Sequence, residues 1–513
     1  MVSTVRSIGL FGLDGYAVDV ETDVSSSENA VTDIIGLPDA AVKEARDRII
    51  AALKNSGIHM PPLRIIINLA PAHMRKEGST YDLAMLLGVL SAMGGIPQPS
   101  QKAAFCGEIS LSGKVRPTSG ILASVISAKA LGFEEIYIPI DNLAEGSVID
   151  GIKVYGVDNF GDLLAHIRGE RLLTPAQTDI ESVIKKAEEE MKYDFADVVG
   201  QQGGKRACEL AAAGGHNLLF IGPPGTGKSL LAKCMPSIMP DMTFDEIIET
   251  SRIYSVAGKL SADRQLIVKR PLVQVNQGTS IPGLTGGGAI PGPGAISLAQ
   301  NGILFLDELP EFSTKVVETL RQPMEDGKIT ITRVKKSLSY PASFTLLCAM
   351  NPCPCGNYGN PMKKCVCSPK TVSNYINKIS GPLLDRIDLQ TELPQVKISD
   401  INSGKKAEPS AKIKERVNAA REIQRQRFRG TDISCNAKMT VEAIRNCGLT
   451  HAAEELLNDV FVKRALSMRA YDKLIKIART SADLEGSADI LPKHINEAVY
   501  FRSLDKKYWN REV

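Results

Sequence analysis

Gly222-Pro223-Pro224-Gly225-Thr226-Gly227-Lys228-Ser229 stands between an apolar run, Leu218-Leu219-Phe220-Ile221, and a helical pattern opening Leu230-Leu231-Ala232. The glycines let the backbone wrap a phosphate with its N–H groups pointing inward. Lys228 then reaches the β- and γ-phosphates, and the Ser229 hydroxyl ligates Mg²⁺. A strand before and a helix after is the context this chemistry requires, so ATP with Mg²⁺ is the expected ligand. A second apolar run, Ile303-Leu304-Phe305-Leu306, ends in Asp307 and Glu308. An acid at a strand end near Mg²⁺ suits Asp307 as a metal partner through water. Glu308 is then placed to orient and polarise the attacking water.

Cys353, Cys355, Cys365 and Cys367 form two C-x-C pairs in a Gly/Pro-rich loop. Four thiolates can close a tetrahedral Zn²⁺ site, although paired zinc cysteines are usually two to four residues apart. Zinc that stiffens the loop and four reduced loop cysteines both remain open. The alternating stretch at 328–344 places Arg333, Lys335 and Lys336 near a turn. Such a hairpin either tracks a nucleic-acid backbone by charge neutralisation or is an edge kept soluble by its basic residues. The helical stretch at 415–430 carries Arg416, Arg421, Arg425, Arg427 and Arg429. It reads as a phosphate-facing patch or, better, as a solvated helix face.

These residues need elements to hold them. A chain of 513 residues suggests two to four domains at roughly 150 residues each. An apolar fraction of 43% allows sizeable cores, and a net charge of +3 argues neither for nor against nucleic acid. No long apolar run predicts a membrane span. The N-terminal residues carry no signal-peptide core, and ten cysteines are too sparse for a disulfide scaffold, so the expected location is the cytoplasm. Residues 1–168 alternate apolar strands with helical patterns. Residues 169–192 read as a polar linker or exposed helix, 193–398 carry the nucleotide motifs, and 399–513 are helical. The fold class is α/β multidomain. The Gly/Pro loop GLTGGGAIPGPG at 283–294 is expected outside any helix or strand. It belongs to an excess of chain between Lys228 and Asp307.

In this order GPPGTGKS, LFLDELPEF, LRQPMEDG, NPCPCG and SGPLLDRID resemble the magnesium-chelatase-like AAA+ ATPases, and more closely the YifB/ComM family, over essentially the whole chain. The resemblance implies a Lon-protease-like α/β domain, an AAA+ P-loop α/β domain and a C-terminal helical lid. It makes Asn351 the sensor that helps place the lytic water. Arg386 becomes the arginine finger entering a neighbouring subunit's site, and Arg469 the second sensor in the lid. Arginine at the transferring phosphoryl group is worth ~10³-fold or more. A finger given in trans implies a homo-hexamer. The segment DFADVVGQ at 194–201 resembles the adenine-side loop, with Val199 and Gly200 beside the base. The excess chain would fit an insertion reaching the ring's pore.

The resemblance implies a DNA helicase that drives branch migration during integration of incoming DNA in natural transformation. A chelatase-like or chaperone-like ATPase remodelling a protein partner is the alternative. Two departures matter. The stretch RPLVQVNQGTS at 270–280 keeps Arg270 and Pro271 but lacks the paired histidines that usually follow. In the Lon-like block the serine position falls on Thr80 and the lysine position on Leu122. Leucine cannot act as a base, and Ser79 without a lysine is a turn residue, so no protease is expected.

Overall fold

A computed structural model describes residues 2–189, 192–261, 264–288, 292–333, 336–396 and 407–509. The chain divides into two compact units. One is centred on Met1–Lys186 and Phe244–Val268, the other on Ala187–Thr243, Lys269–Arg333 and Ser339–Val513.

In the first unit seven strands form one sheet: β1 (Val2–Phe11), β2 (Asp14–Ser26), β3 (Val31–Ile35), β4 (Leu63–Ala70), β5 (Ala103–Phe105), β6 (Glu135–Pro139) and β7 (Lys153–Val157). Their order is β3-β4-β2-β1-β5-β6-β7. The β1–β2 and β2–β4 pairs are antiparallel and the others parallel. The helix Asp82–Ala92 is buried along its whole length against this sheet. Linker residues Ile180–Glu189 form a helix.

The segment 244–268 is a finding that the motif order concealed. Part of the excess between Lys228 and Asp307 returns to the first unit. Its helix Phe244–Val256 places Ser255 against the helix Ile121–Ala130. The Gly120 N–H donates to Ser255 O at 2.9 Å, and Ser255 Oγ donates to Glu145 Oε2 at 2.5 Å. Leu122, at the lysine position of the Lon-like pattern, is wholly buried with Val148 and Leu266. Ser79 Oγ bonds the Glu108 carboxylate.

The second unit is built on five parallel strands: β8 (Leu218–Ile221), β9 (Leu272–Val275), β10 (Ile303–Leu306), β11 (Thr345–Met350) and β12 (Leu389–Glu392). Strands β8 and β10 are buried throughout, as expected of parallel strands covered on both faces. The order is β9-β10-β11-β8-β12, so β11 lies between the P-loop strand and the acidic strand. Residues after 407 are helical, including Ser410–Arg427, Met468–Leu484 and Pro492–Tyr500. This is an α/β chain with a parallel sheet and a helical C-terminus.

One expectation is corrected. Residues Gly283–Thr285 close a short helix, Ile281–Thr285, and Gly286-Gly287 pair antiparallel with Gly292-Pro293. Gly286 and Gly287 take φ of 91° and 120°, a region closed to most side chains, which is how so glycine-rich a stretch turns into a ladder.

Candidate functional site

Strand β8 delivers the chain into the loop 222–227, and the helix Lys228–Cys234 follows. Gly225 and Gly227 have φ of 78° and 92°, so both need glycine's freedom. Lys228 is buried, and its Nζ donates to Gly222 O at 2.6 Å, Pro223 O at 2.9 Å and Asn351 Oδ1 at 3.1 Å. Burial pushes its ammonium pKa down, while Asp307 and Glu308 pull the other way. The β8–β11 register, Ile221 opposite Met350, is what sets Asn351 beside the loop.

Ser229 Oγ donates to Asp307 Oδ2 at 2.8 Å. A hydroxyl and a carboxylate in contact supply two hard oxygens, the donor type Mg²⁺ takes. Glu308 adopts φ 55° and ψ 51°, a left-handed conformation that costs a residue with a Cβ about 1–3 kcal/mol. Its N–H bonds Asp307 Oδ1 at 3.0 Å, and its Oε2 accepts from Gln277 Nε2 at 2.6 Å. A cavity of about 400 Å³ lined by Gln274, Asn276, Gln277, Asp307 and Glu308 opens here.

Sequence reasoning gave Gln277 no role, although it lies in the stretch that lacks the histidines. The signal was register. Strand β9 runs parallel to β10 with Val275 opposite Leu306, so the segments leaving the two strands, which carry Gln277 and Glu308, emerge side by side.

Val199 is exposed and, with Gly200, lines a cavity of about 610 Å³ together with Gln201, Lys205, Glu209 and Arg416. Gln201 ties this segment to the P-loop, its Nε2 donating to Thr226 O at 2.9 Å and Pro394 O at 2.7 Å. Arg386 is largely buried. Its guanidinium pairs with Glu325 and donates to Pro382 O at 2.6 Å. Arg469 is exposed in the first turn of the helix Met468–Leu484, and no ion pair engages it among the described residues.

The four cysteines converge. Their sulfurs lie within 4.8 Å of one another, with Cys353–Cys355 at 3.4 Å, Cys355–Cys365 at 3.6 Å and Cys353–Cys365 at 3.7 Å. The Tyr358 N–H points at Cys353 Sγ at 3.3 Å and the Cys367 N–H at Cys365 Sγ at 3.4 Å. Four soft donors on one centre, with N–H groups aimed at two of the sulfurs, fit tetrahedral Zn²⁺. The same loop rests on the P-loop: a Cβ on Gly356 would come within 2.5 Å of Pro224 Cδ.

The basic candidates divide. Strands Lys328–Arg333 and Lys336–Pro341 are present, but Lys335 and the side chains of Arg333 and Lys336 lie outside the described residues. On the helix Ser410–Arg427, Arg416 pairs with Glu209 and Glu408, Arg425 with Glu422, and Arg427 with Asp483. Arg421 donates to Ala212 O and Ser434 O. These four are engaged within the chain.

A glycine-turned loop with a buried lysine and a serine facing a strand-end aspartate, on a five-stranded parallel sheet with an inserted strand, defines a P-loop ATPase of the AAA+ class. Comparison with known proteins narrows the class. The family described as magnesium chelatase, subunit ChlI, matches residues 194–401, its companion description 20–142, and its C-terminal part 407–502. Competence protein ComM of Haemophilus influenzae is 37% identical over 506 residues, covering 98% of each chain. Protein YifB of Escherichia coli is 38% identical over 510 residues, again 98% of each. Lon protease 2 of Bacillus subtilis is 27% identical over 183 residues, 32% of this chain and 33% of that one. The chain belongs to the YifB/ComM family of magnesium-chelatase-like proteins, and it is an ATPase of that type.

Proposed function

We propose that this protein is a cytoplasmic, homo-hexameric, ATP-driven DNA motor that promotes branch migration when incoming DNA is integrated. The observation that carries the reading is the likeness to a competence protein over nearly the full length of both chains, joined to an ATP site whose parts meet at bonding distance. Lys228 holds the phosphates, and Ser229 and Asp307 hold Mg²⁺, which supplies charge neutralisation at the phosphoryl group. Glu308 orients the water and Asn351 positions it. Val199 and Gly200 flank the base. Arg469 reaches the phosphates from the lid, and Arg386 serves the neighbouring subunit's site. Cys353, Cys355, Cys365 and Cys367 hold a structural Zn²⁺ that stiffens the loop against the P-loop. The Lon-like block, with buried Leu122 in place of a lysine, is non-proteolytic and serves assembly or substrate contact. The basic segment with Arg333, Lys335 and Lys336 tracks the DNA backbone.

The test is strand movement on a labelled four-way or three-strand junction with ATP and Mg²⁺. Branch migration that is lost in Lys228→Ala and Glu308→Gln supports the reading. Normal ATP turnover with no strand movement removes the DNA motor. Stimulation of turnover by a partner protein alone would transfer the assignment to protein remodelling.

A further inference from the structure

We infer that Lys473 and Asp388 are positioning residues that link the lid arginine of one ATP site to the arginine offered to the next subunit's site. This rests on the roles proposed above for Arg469 and Arg386.

The backbone that carries Arg386 is clamped from two sides. From the core, Asn217 at the root of β8 donates its Nδ2 to Arg386 O at 3.0 Å. The Asn217 carbonyl accepts from Asp388 N at 3.0 Å and Leu389 N at 2.9 Å. From the lid, Lys473 Nζ donates to Ile387 O at 3.2 Å, and Arg502 Nη1 donates to Ile387 O at 2.9 Å and Asp388 O at 3.3 Å. The Asp388 side chain joins the two sides. Its Oδ2 accepts from Asn217 N at 2.9 Å, and its Oδ1 pairs with Lys473 Nζ at 2.8 Å.

Lys473 lies four residues after Arg469 on the helix Met468–Leu484, one turn along the same face. Arg469 and Lys473 stand one turn apart on one continuous helix of 17 residues, so a shift of that helix that brings Arg469 to a phosphate also moves Lys473. Lys473 then carries Ile387 and Asp388, and with them the short loop on which Arg386 is held by Glu325 and Pro382 O. Asn217 extends the link inward, since its Oδ1 accepts from Leu346 N at 2.8 Å in the strand that ends beside Asn351. Burial alone would raise the Asp388 pKa, yet Lys473 and nearby His216 hold it well below the usual carboxylate range, while burial pushes the Lys473 ammonium down and Asp388 pulls it back up. A pair retained for stability alone is replaceable by apolar residues. This pair touches both arginine-bearing segments.

The experiment mixes full-length subunits. Asp388→Asn with Lys473→Met removes both charges together and leaves neither one buried unpaired. These chains, or unaltered ones, are mixed in rising proportion with Glu308→Gln chains, and ATP turnover is measured per hydrolysis-competent chain. Unaltered chains are expected to lose turnover as inert neighbours are added, to about half at equal mixing if one active neighbour is required. The double variant is expected to hold constant turnover per competent chain, with ATP-analogue affinity within about twofold of the unaltered chain. Lys473→Arg keeps the charge and should retain the decline. A double variant that declines like the unaltered chain overturns the inference. So does one whose ATP affinity and melting temperature fall together, because the pair is then only structural. If the unaltered chain neither assembles nor turns over ATP, the ring-motor reading itself fails.

Discussion

Gly356 tests whether the cysteine loop bears on the nucleotide loop. It has φ +77°, and an added Cβ would meet Pro224 Cδ at 2.5 Å and Cγ at 2.9 Å. Gly359, three residues on, has φ +74° with nothing within 4 Å of the same added atom. The two alanine substitutions therefore share the backbone cost and differ in the collision. A side chain in the left-handed region costs about 1–2 kcal/mol. Forcing a methyl into a packed contact adds ~1–3 kcal/mol, and a proline ring has few ways to yield. Gly359→Ala should lower unfolding stability by about 1–2 kcal/mol and leave nucleotide affinity unchanged. Gly356→Ala should lower stability by roughly 2–5 kcal/mol. If Pro224 moves, ATP affinity should fall by between about fivefold and a hundredfold. Urea unfolding and titration with a fluorescent ATP analogue read the two quantities. Equal behaviour of the two variants in both assays would refute the idea that the cysteine loop braces the P-loop.

Purified chain should hold about one zinc by elemental analysis, and Cys365→Ser with Cys367→Ser should remove it and cost several kcal/mol; metal-free chain with unchanged melting in the variant would exclude a structural zinc. Gln277→Ala should free the Glu308 carboxylate from a charge-assisted bond worth about 1 kcal/mol, discounted for exposure, and raise basal ATP turnover by up to about fivefold; an unchanged rate would show the bond to be idle. Asp388 has a folded pKa below its ordinary 3.8, so its contribution is present above that value and is lost as pH falls below it; Asp388→Asn should flatten the acid limb of urea stability there, and an unaltered limb would contradict the pairing. Leu122→Lys should bury a cation among Val148 and Leu266, cost several kcal/mol and give no peptidase activity, whereas cleavage of casein would reverse the view of the first unit.

The nucleotide strands were legible because parallel strands covered on both faces are continuous apolar runs. LLFI, ILFL and TLLCAM each form the strand their composition suggests, and the P-loop glycines sit where positive φ is needed. The destination of residues 244–268 was not legible. Ile247, Ile253, Leu266 and Ile267 are buried, but an amphipathic helix does not declare which distant surface it will cover. The cysteines were legible as a set and ambiguous as a site, because tight C-x-C spacing argued against zinc while the loop's path brings the second pair back onto the first. The arginine-rich helix showed the opposite failure. Its charge was visible, and Arg425 finds Glu422 on its own helix, but Arg416, Arg421 and Arg427 also reach Glu209, Ala212 and Asp483, far away in sequence.

What separates a list of motif residues from a site is register. A one-residue slip of β9 against β10 would shift the segment that carries Gln277 along the sheet and break its bond to Glu308. A slip of β11 against β8 would take Asn351 from Lys228. Neither pairing is local, and neither residue belongs to the glycine-rich motif that announces the nucleotide. The strand between β8 and β10 therefore does more than widen the sheet. It carries an amide to the lysine of the loop, and the same sheet brings a second amide to the acid at Glu308. Both amides, from Asn351 and Gln277, sit where the chain leaves a strand, so their positions depend on hydrogen bonds made by the strands behind them. Substitutions that loosen β9 or β11 should therefore disturb hydrolysis before they disturb the fold.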